Sequence, residues 1–229
     1  MNAGGRRPII ELREVGRRFG ADPPVDALLD VNLEVLAGDW LAIVGPSGSG
    51  KSTLLNVLGL LDVPTSGTYL LDGIDVADLS DAQRAGLRSR AIGFIFQSFH
   101  LIAHRSVLEN VTLSDVYRKS PRRNRSERAA AALAKVRLSG RADFLPTKLS
   151  GGERQRAAIA RAIMGEPRVL LCDEPTGNLD SRTTAAIMDL FSDLHRGGMT
   201  VVMITHEAAV AERANRQVRI VDGRLEEFR

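Results

Sequence analysis

The run GPSGSGKST, Gly45 to Thr53, sets a lysine and two hydroxyl side chains directly after a glycine-rich turn. Its spacing, G-x-x-x-x-G-K-[ST], suits a polyphosphate. Backbone N–H groups of such a turn surround phosphate oxygens, the lysine reaches the β- and γ-phosphates, and the serine hydroxyl meets Mg²⁺. The expected contacts are Gly45, Ser47, Gly48, Ser49, Gly50, Lys51, Ser52 and Thr53, with Ser52 on the metal. An apolar strand, LAIV, precedes the loop and an apolar helix, STLLNVL, follows it. The motif leaves the reaction open, because kinases, GTPases and motor ATPases share it.

A second glycine-rich turn lies in LSGGERQR, Leu149 to Arg156. Ser150, Gly151 and Gly152 stand where a helix begins, so unpaired N–H groups and the positive end of the helix dipole make another place for an anion. One nucleotide has no need of two cradles.

Carboxylates, an amide and an imidazole stand at the ends of three apolar runs. VLLCDE delivers Asp173 and Glu174, which point to different sides of a strand end. Asp173 can then hold Mg²⁺ through water while Glu174 faces an attacking water as general base. A charged strand end with no chemistry is the alternative. Cys172 inside this run reads as a small buried apolar residue. FIFQ ends in Gln97, able to meet a metal-bound water or the nucleophile, or to be an ordinary strand end. MITHE ends in His206, a donor to a terminal phosphate oxygen or a structural histidine. Phe19 could lay its ring on a purine or pack into a core. Asp180 follows in GNLDS.

These residues need a scaffold, and the pattern supplies one. PIIELREV reads as an opening strand. ALLDVNLEVL and WLAIV follow as strands parted by a turn at Ala37-Gly38-Asp39. STLLNVLGLL reads as a buried helix closed by Pro64, and Asp72-Gly73 as a tight turn. Ser80 with Gln83, and Ser106 with Glu109, form capping-box patterns around the strand IGFIF. From Ser106 to Met164 the pattern is almost entirely helical, with Gly140 and Pro146 as punctuation. RVLLCDE and TVVMITH are buried strands on either side of a helix from Ser181 to His195, and a last hairpin turns at Asp222-Gly223. The expected fold class is α/β, with an antiparallel β layer and an inserted helical subdomain at about 98–165 in a single domain spanning 1–229.

The composition bounds the rest. The chain has 229 residues, 44% of them hydrophobic, and a net charge of +3 from 31 basic and 28 acidic residues. No apolar stretch approaches the roughly 20 residues of a membrane span, and the first residues lack a signal-peptide pattern. The single cysteine excludes an intramolecular disulfide. The dense basic run from Tyr117 to Arg128 reads as a solvated loop and helix start, with anionic headgroups or an acidic partner loop as the alternative. No aromatic-interleaved basic surface points to nucleic acid.

The order of the motifs resembles that of the ATP-binding cassette (ABC) ATPases, from about Ile9 to the C-terminus. The matching elements are the aromatic Phe19, the Walker A loop, the glutamine loop at Gln97, the signature LSGGE, Walker B at Val169 to Glu174, the GNLD loop and the switch histidine His206. The wording around them looks most like the macrolide exporters and lipoprotein-releasing ATPases. The resemblance implies a P-loop NTPase (RecA-like) core that binds ATP and Mg²⁺, with Ser52, Gln97 and Asp173 near the metal. Glu174, His206 and Gln97 take part in hydrolysis. It implies a head-to-tail homodimer in which Ser150, Gly151 and Gly152 of one subunit close on the γ-phosphate held by the other, with Asp180 at the seam. This would answer the question of the second cradle. A separate transmembrane permease would hold the cassette at the cytoplasmic face of the membrane, with Phe99, His100 and Leu101 as candidate contacts. A regulatory cassette that signals to envelope or division machinery without moving a solute is the alternative. The sequence departs from common family forms in carrying Phe19 where tyrosine is usual and Glu153 where glutamine is frequent.

Overall fold

The computed structural model describes residues 7–20, 22–115 and 124–227. Ten strands form two sheets. β1 (Pro8–Phe19), β2 (Val25–Leu36), β4 (Ser66–Leu71) and β5 (Ile74–Asp75) make an antiparallel sheet in the order β2-β1-β4-β5. The other sheet contains β3 (Trp40–Val44), β6 (Ile92–Phe96), β7 (Val169–Asp173), β8 (Thr200–Ile204), β9 (Arg216–Val221) and β10 (Arg224–Glu227). Its order is β10-β9-β3-β8-β7-β6, parallel except for the edge strand β10. This is the expected α/β architecture with an antiparallel layer.

Continuous apolar runs suit β7 and β8 because both of their faces are covered. Val169 and Leu171 point into one core, shared with α1 (Lys51–Leu58) and the antiparallel sheet. Leu170 and Cys172 point into a second core with the helices α3 (Val107–Thr112), α4 (Arg125–Lys135), α5 (Gly151–Ile163) and α6 (Ser181–Arg196). Strand β8 divides in the same way, Val202 and Ile204 against Val201 and Met203. Cys172 is fully buried and its thiol is pushed well above the usual range by burial, as its reading as a core residue requires.

Both capping boxes form. Ser80 accepts from the Gln83 N–H at the start of α2 (Asp81–Ala91), and Ser106 accepts from the Glu109 N–H at the start of α3. The turns at Asp72-Gly73 and Asp222-Gly223 take positive φ at both residues, the geometry of a two-residue hairpin.

Two expectations are corrected. Helix α1 stops at Leu58 with Gly59 as its cap, short of Pro64. The stretch between Ser106 and Met164 is interrupted by short 3₁₀ turns at Ser139–Arg141 and Pro146–Lys148, where Gly140 and Pro146 were expected to punctuate it, and also at Leu113–Asp115, where no break was expected. The physical reason lies in the orphan donors of α3: the N–H groups of Val107 and Leu108 donate to Phe144 and Ala142 carbonyls, both at 2.8 Å. The chain near residue 143 thus finishes one helix instead of extending another. The four-residue helix α7 (Ala208–Ala211) is too short for periodicity to reveal. Part of the basic run, 116–123, lies outside the described residues. Beyond it, Arg125 and Arg128 both pair with the buried carboxylate of Asp115, so these two charges serve an internal ion cluster.

Candidate active site

The C-terminal ends of the parallel strands converge on one side of the sheet, where doubly wound folds hold their ligands. After β3 the chain turns through Gly45 to Gly50 into α1. Gly50 has φ 104, a conformation that side chains resist, and an added Cβ would sit 2.5 Å from the Ala27 carbonyl oxygen. No side chain caps α1 and no acidic residue occupies its first turn. Its N–H groups and dipole therefore face the cleft with no acidic side chain in the helix's own first turn to occupy them. Lys51 folds back along the loop, Nζ donating to the carbonyls of Gly45 (2.9 Å) and Pro46 (2.6 Å).

The cleft holds about 710 Å³, room for a nucleotide. Gly45, Ser47, Gly48, Gly50, Lys51, Ser52, Thr53, Glu174 and His206 line it. Ser49 does not: its hydroxyl is buried and without a hydrogen-bond partner among the described residues. The sequence reading missed the other wall, formed by Val25, Asp26, Ala27 and Leu29 of β2 and by the Asp222-Gly223 turn. These residues carry no phosphate chemistry, so no motif marks them. Phe19 pairs with Val25 across the β1–β2 hairpin and lies at the open end beside this wall, 40% exposed. The Arg17 guanidinium lies 4.3 Å from its ring centroid, which leaves a single face for stacking.

Strand β7 ends in Asp173, half-buried, and Glu174, whose φ of 43 is unusual for a side chain of this size. The Glu174 N–H donates to the Ile204 carbonyl at 3.0 Å, which secures the bend. His206 Nδ1 donates to Glu174 Oε1 at 2.8 Å. With Nδ1 so engaged, Nε2 donates to a phosphate oxygen only as imidazolium, or after the Glu174 bond is released and the tautomer changes. Burial, and next the neighbouring Glu174, raise the Asp173 carboxyl above the usual range, while Lys51 opposes them. Lys51 and Asp173 are thus electrostatic neighbours.

Gln97 ends β6 and is tied to the loop after β7. Its Nε2 donates to Asn178 Oδ1 (3.3 Å), and Asn178 Nδ2 donates to the Gln97 carbonyl (3.0 Å). Asn178 is a second residue that the sequence reading missed. Beyond Ser98, Phe99 and His100 both take positive φ, and their carbonyls accept from the partly buried guanidinium of Arg161 on α5. Of the three candidate partner contacts, His100 is exposed in an apolar groove of about 540 Å³ with Leu61, Phe94, Phe96 and Leu113. Leu101 instead packs against the second core, and Phe99 lies under Arg154 at 5.3 Å.

The LSGGE turn stands apart, since none of Leu149 to Gly152 lines the cleft. Ser150 is exposed and forms a capping box with Glu153: its Oγ accepts from the Glu153 N–H, and Glu153 Oε2 accepts from the Ser150 N–H. This box was not anticipated. The N–H groups of Gly151 and Gly152 find no partner among the described residues. Asp180 caps α6, accepting from the Thr183 N–H (2.9 Å) and hydroxyl (2.7 Å).

Among the described residues, no three His, Cys, Asp or Glu side chains gather as a metal cage. Ser52, Asp173 and Gln97 offer only oxygen ligands, few in number, which fits Mg²⁺ held largely by water and substrate phosphates.

The profile of the ABC transporter family matches residues 28–177. The chain is 52% identical over 201 residues to the uncharacterized ABC transporter ATP-binding protein YvrO of Bacillus subtilis, covering 88% of each. It is 47% identical over 219 residues to the macrolide export ATP-binding/permease protein MacB of Brucella melitensis, covering 95% of this chain and 34% of MacB. Among solved structures it is similar to MJ0796, a bacterial ABC transporter cassette in dimeric form, with TM-score 0.85, 40% identity and coverage of 96% and 99%. A post-hydrolysis dimer of MJ0796 bound to ADP and Pi gives the same TM-score at 39% identity.

Proposed function

Because the chain belongs to the ABC transporter family and is an ATPase, we propose that it works as a head-to-tail homodimer closed around two Mg-ATP. Its ATP hydrolysis would drive a separate transmembrane partner, with export of the macrolide or lipoprotein type as its task. One observation carries the dimeric reading: the anion-ready N–H groups of Gly151 and Gly152 lie outside the cleft formed by Lys51 and its loop. A phosphate held in that cleft reaches the LSGGE turn only through a second molecule.

In this reading the backbone from Gly45 to Thr53 and Lys51 bind the triphosphate, and Phe19 or the β2 wall meets the base. Ser52, Asp173 and Gln97 would hold Mg²⁺, which would supply charge neutralisation to the phosphates. Glu174 accepts a proton from the water that attacks the γ-phosphorus, and His206 orients Glu174 and contacts the terminal phosphate. Ser150 and the Gly151 and Gly152 N–H groups of the other subunit close the site, with Asp180 near the seam. The domain is read as one unit, 1–229, with the helical part at about 98–165 inserted.

No described helix is long and apolar enough to cross a membrane. MacB is named for both ATP-binding and permease parts and this chain spans about a third of it, which supports a partner that supplies the permease. The groove beside His100 is the proposed docking place for it, and such docking would hold the cassette at the cytoplasmic membrane face.

Glu174→Gln should lower turnover by at least about 10²-fold, through loss of the base. With saturating Mg-ATP the same variant should sediment as a dimer and retain a membrane protein in pull-downs from solubilised membranes. A monomer at saturating ATP would refute the two-subunit site. Recovery of non-membrane proteins alone would refute the transporter assignment.

A further inference from the structure

The Ser150 turn poses an electrostatic problem. Glu153 puts a full negative charge in the first turn of α5, where the reading above brings a γ-phosphate. Its carboxyl is held below the usual range, first by the hydrogen bond from Arg141 and then by the Ser150 N–H, so it is ionised at neutral pH. A carboxylate there opposes the helix dipole that attracts the phosphate.

Arg141 answers it. Its Nε donates to Glu153 Oε1 at 2.8 Å, while the other oxygen, Oε2, is taken by the Ser150 N–H at 2.9 Å. The guanidinium also lies 4.7 Å from the ring centroid of the exposed Phe144, so it is fixed from a second side. Both carboxylate oxygens are therefore turned toward partners of their own subunit. The free donors of the turn are the N–H groups of Gly151 and Gly152. The Ser150 hydroxyl accepts from Glu153 and still has its own proton to donate.

We propose that Arg141 is a positioning residue for the second half-site: by neutralising and aiming Glu153 it keeps the Ser150 turn attractive to the γ-phosphate bound by the other subunit. The inference rests on the head-to-tail reading. Arg141 itself touches no nucleotide. A dimer contains two such turns, so a cost of about threefold at each multiplies to roughly tenfold.

The test uses the full chain carrying Glu174→Gln, with sedimentation to find the Mg-ATP concentration that gives half-maximal dimer. Adding Arg141→Ala should raise that concentration about threefold, because two ATP enter each dimer and the requirement follows the square root of the dimerisation constant. Adding Glu153→Gln as well should return it to within about twofold of the parent, because the amide still accepts from the Ser150 N–H but carries no charge to neutralise. Circular dichroism of each nucleotide-free monomer identifies a variant that has lost its fold. If Arg141→Ala damages the fold, Arg141→Lys replaces it and is expected to stay close to the parent by keeping the charge. An unchanged ATP requirement in Arg141→Ala overturns the proposal. So does a double variant as impaired as Arg141→Ala alone, which would make the arginine a packing residue. A parent that never dimerises removes the head-to-tail reading and this inference with it. A parent that dimerises while Arg141→Ala has no effect removes the inference alone.

Discussion

Gly152 was read as bare backbone for an anion, yet the structure gives it a duty inside its own subunit. A Cβ there would lie 2.6 Å from Cγ2 of Thr183 on α6, where ordinary contact begins at 3.4 Å. The threonine has little freedom to turn away, because its hydroxyl donates to Asp180 Oδ2 at 2.7 Å and its N–H donates to Oδ1 at 2.9 Å. Gly152→Ala must therefore either part α5 from α6 or break the Asp180 cap. Overpacking of this kind costs about 1–3 kcal/mol, offset by up to about 1 kcal/mol of helix propensity gained from alanine. The net loss is between about zero and 3 kcal/mol, too wide to be diagnostic by itself. Thr183→Ser makes it diagnostic, since it removes the colliding methyl and keeps the hydroxyl. A double-mutant cycle in thermal or urea unfolding of the nucleotide-free chain should give a favourable coupling of about 1–2 kcal/mol. At this chain length each kcal/mol moves the melting point by about 2–4 °C. Additivity within about 0.5 kcal/mol would refute the packing argument. If the double variant regains stability but no longer dimerises with ATP, the glycine also serves the phosphate.

Asp173 is raised above the usual carboxylate range, so its ionised form costs stability at neutral pH. The linkage favours the fold below the ordinary aspartate value of about 3.9 and is lost as pH rises through the higher folded value. Asp173→Asn should accordingly raise the melting temperature of the nucleotide-free chain at pH 7. The gain should vanish below about pH 4, and turnover should be lost. A lower melting point at pH 7 would contradict this. Arg161→Met should leave the Phe99 and His100 carbonyls without their donor, melt several degrees lower and speed hydrogen exchange across 98–101. Unchanged exchange there would mean that the turn holds itself. Tyr69→Phe should cost about 1–2 kcal/mol in urea unfolding, because the fully buried hydroxyl donates to the Leu58 carbonyl at 2.6 Å at the end of α1.

The phosphate loop, the strand-end carboxylates and the order of strands were legible because each depends on local chemistry. A glycine-rich turn between an apolar strand and a helix has few other uses, and β7 and β8 betray burial on both faces by unbroken apolar runs. What stayed hidden depends on distant approach. Asn178 reaches Gln97 across 81 residues of chain and Arg161 reaches Phe99 across 62, and neither amide nor guanidinium announces its partner. The Ser150–Glu153 box was local and could have been found, as the boxes at Ser80 and Ser106 were. The serine and glutamate there fit a cap as well as an anion site, and the glycines between them drew attention to the anion.

The placement of these hidden contacts bears on how a signal could cross the molecule. Gln97, Glu174 and His206 follow the ends of the adjacent strands β6, β7 and β8, so the chemistry is gathered on one rigid edge. The LSGGE turn, by contrast, is carried by α5 in the helical part. Two fixed side chains tie the segment leaving β6 to other elements: Asn178 joins Gln97 to the loop before α6, and Arg161 joins Phe99 and His100 to α5. Two successive residues with positive φ are held there by a partly buried guanidinium that finds carbonyl acceptors instead of a carboxylate. Both carbonyls of the turn thus depend on one donor from another element. His100 and Arg161 also line the apolar groove proposed for the membrane partner. The groove thus borders both the segment that follows Gln97 and, through Arg161, the helix that carries Ser150 at its start.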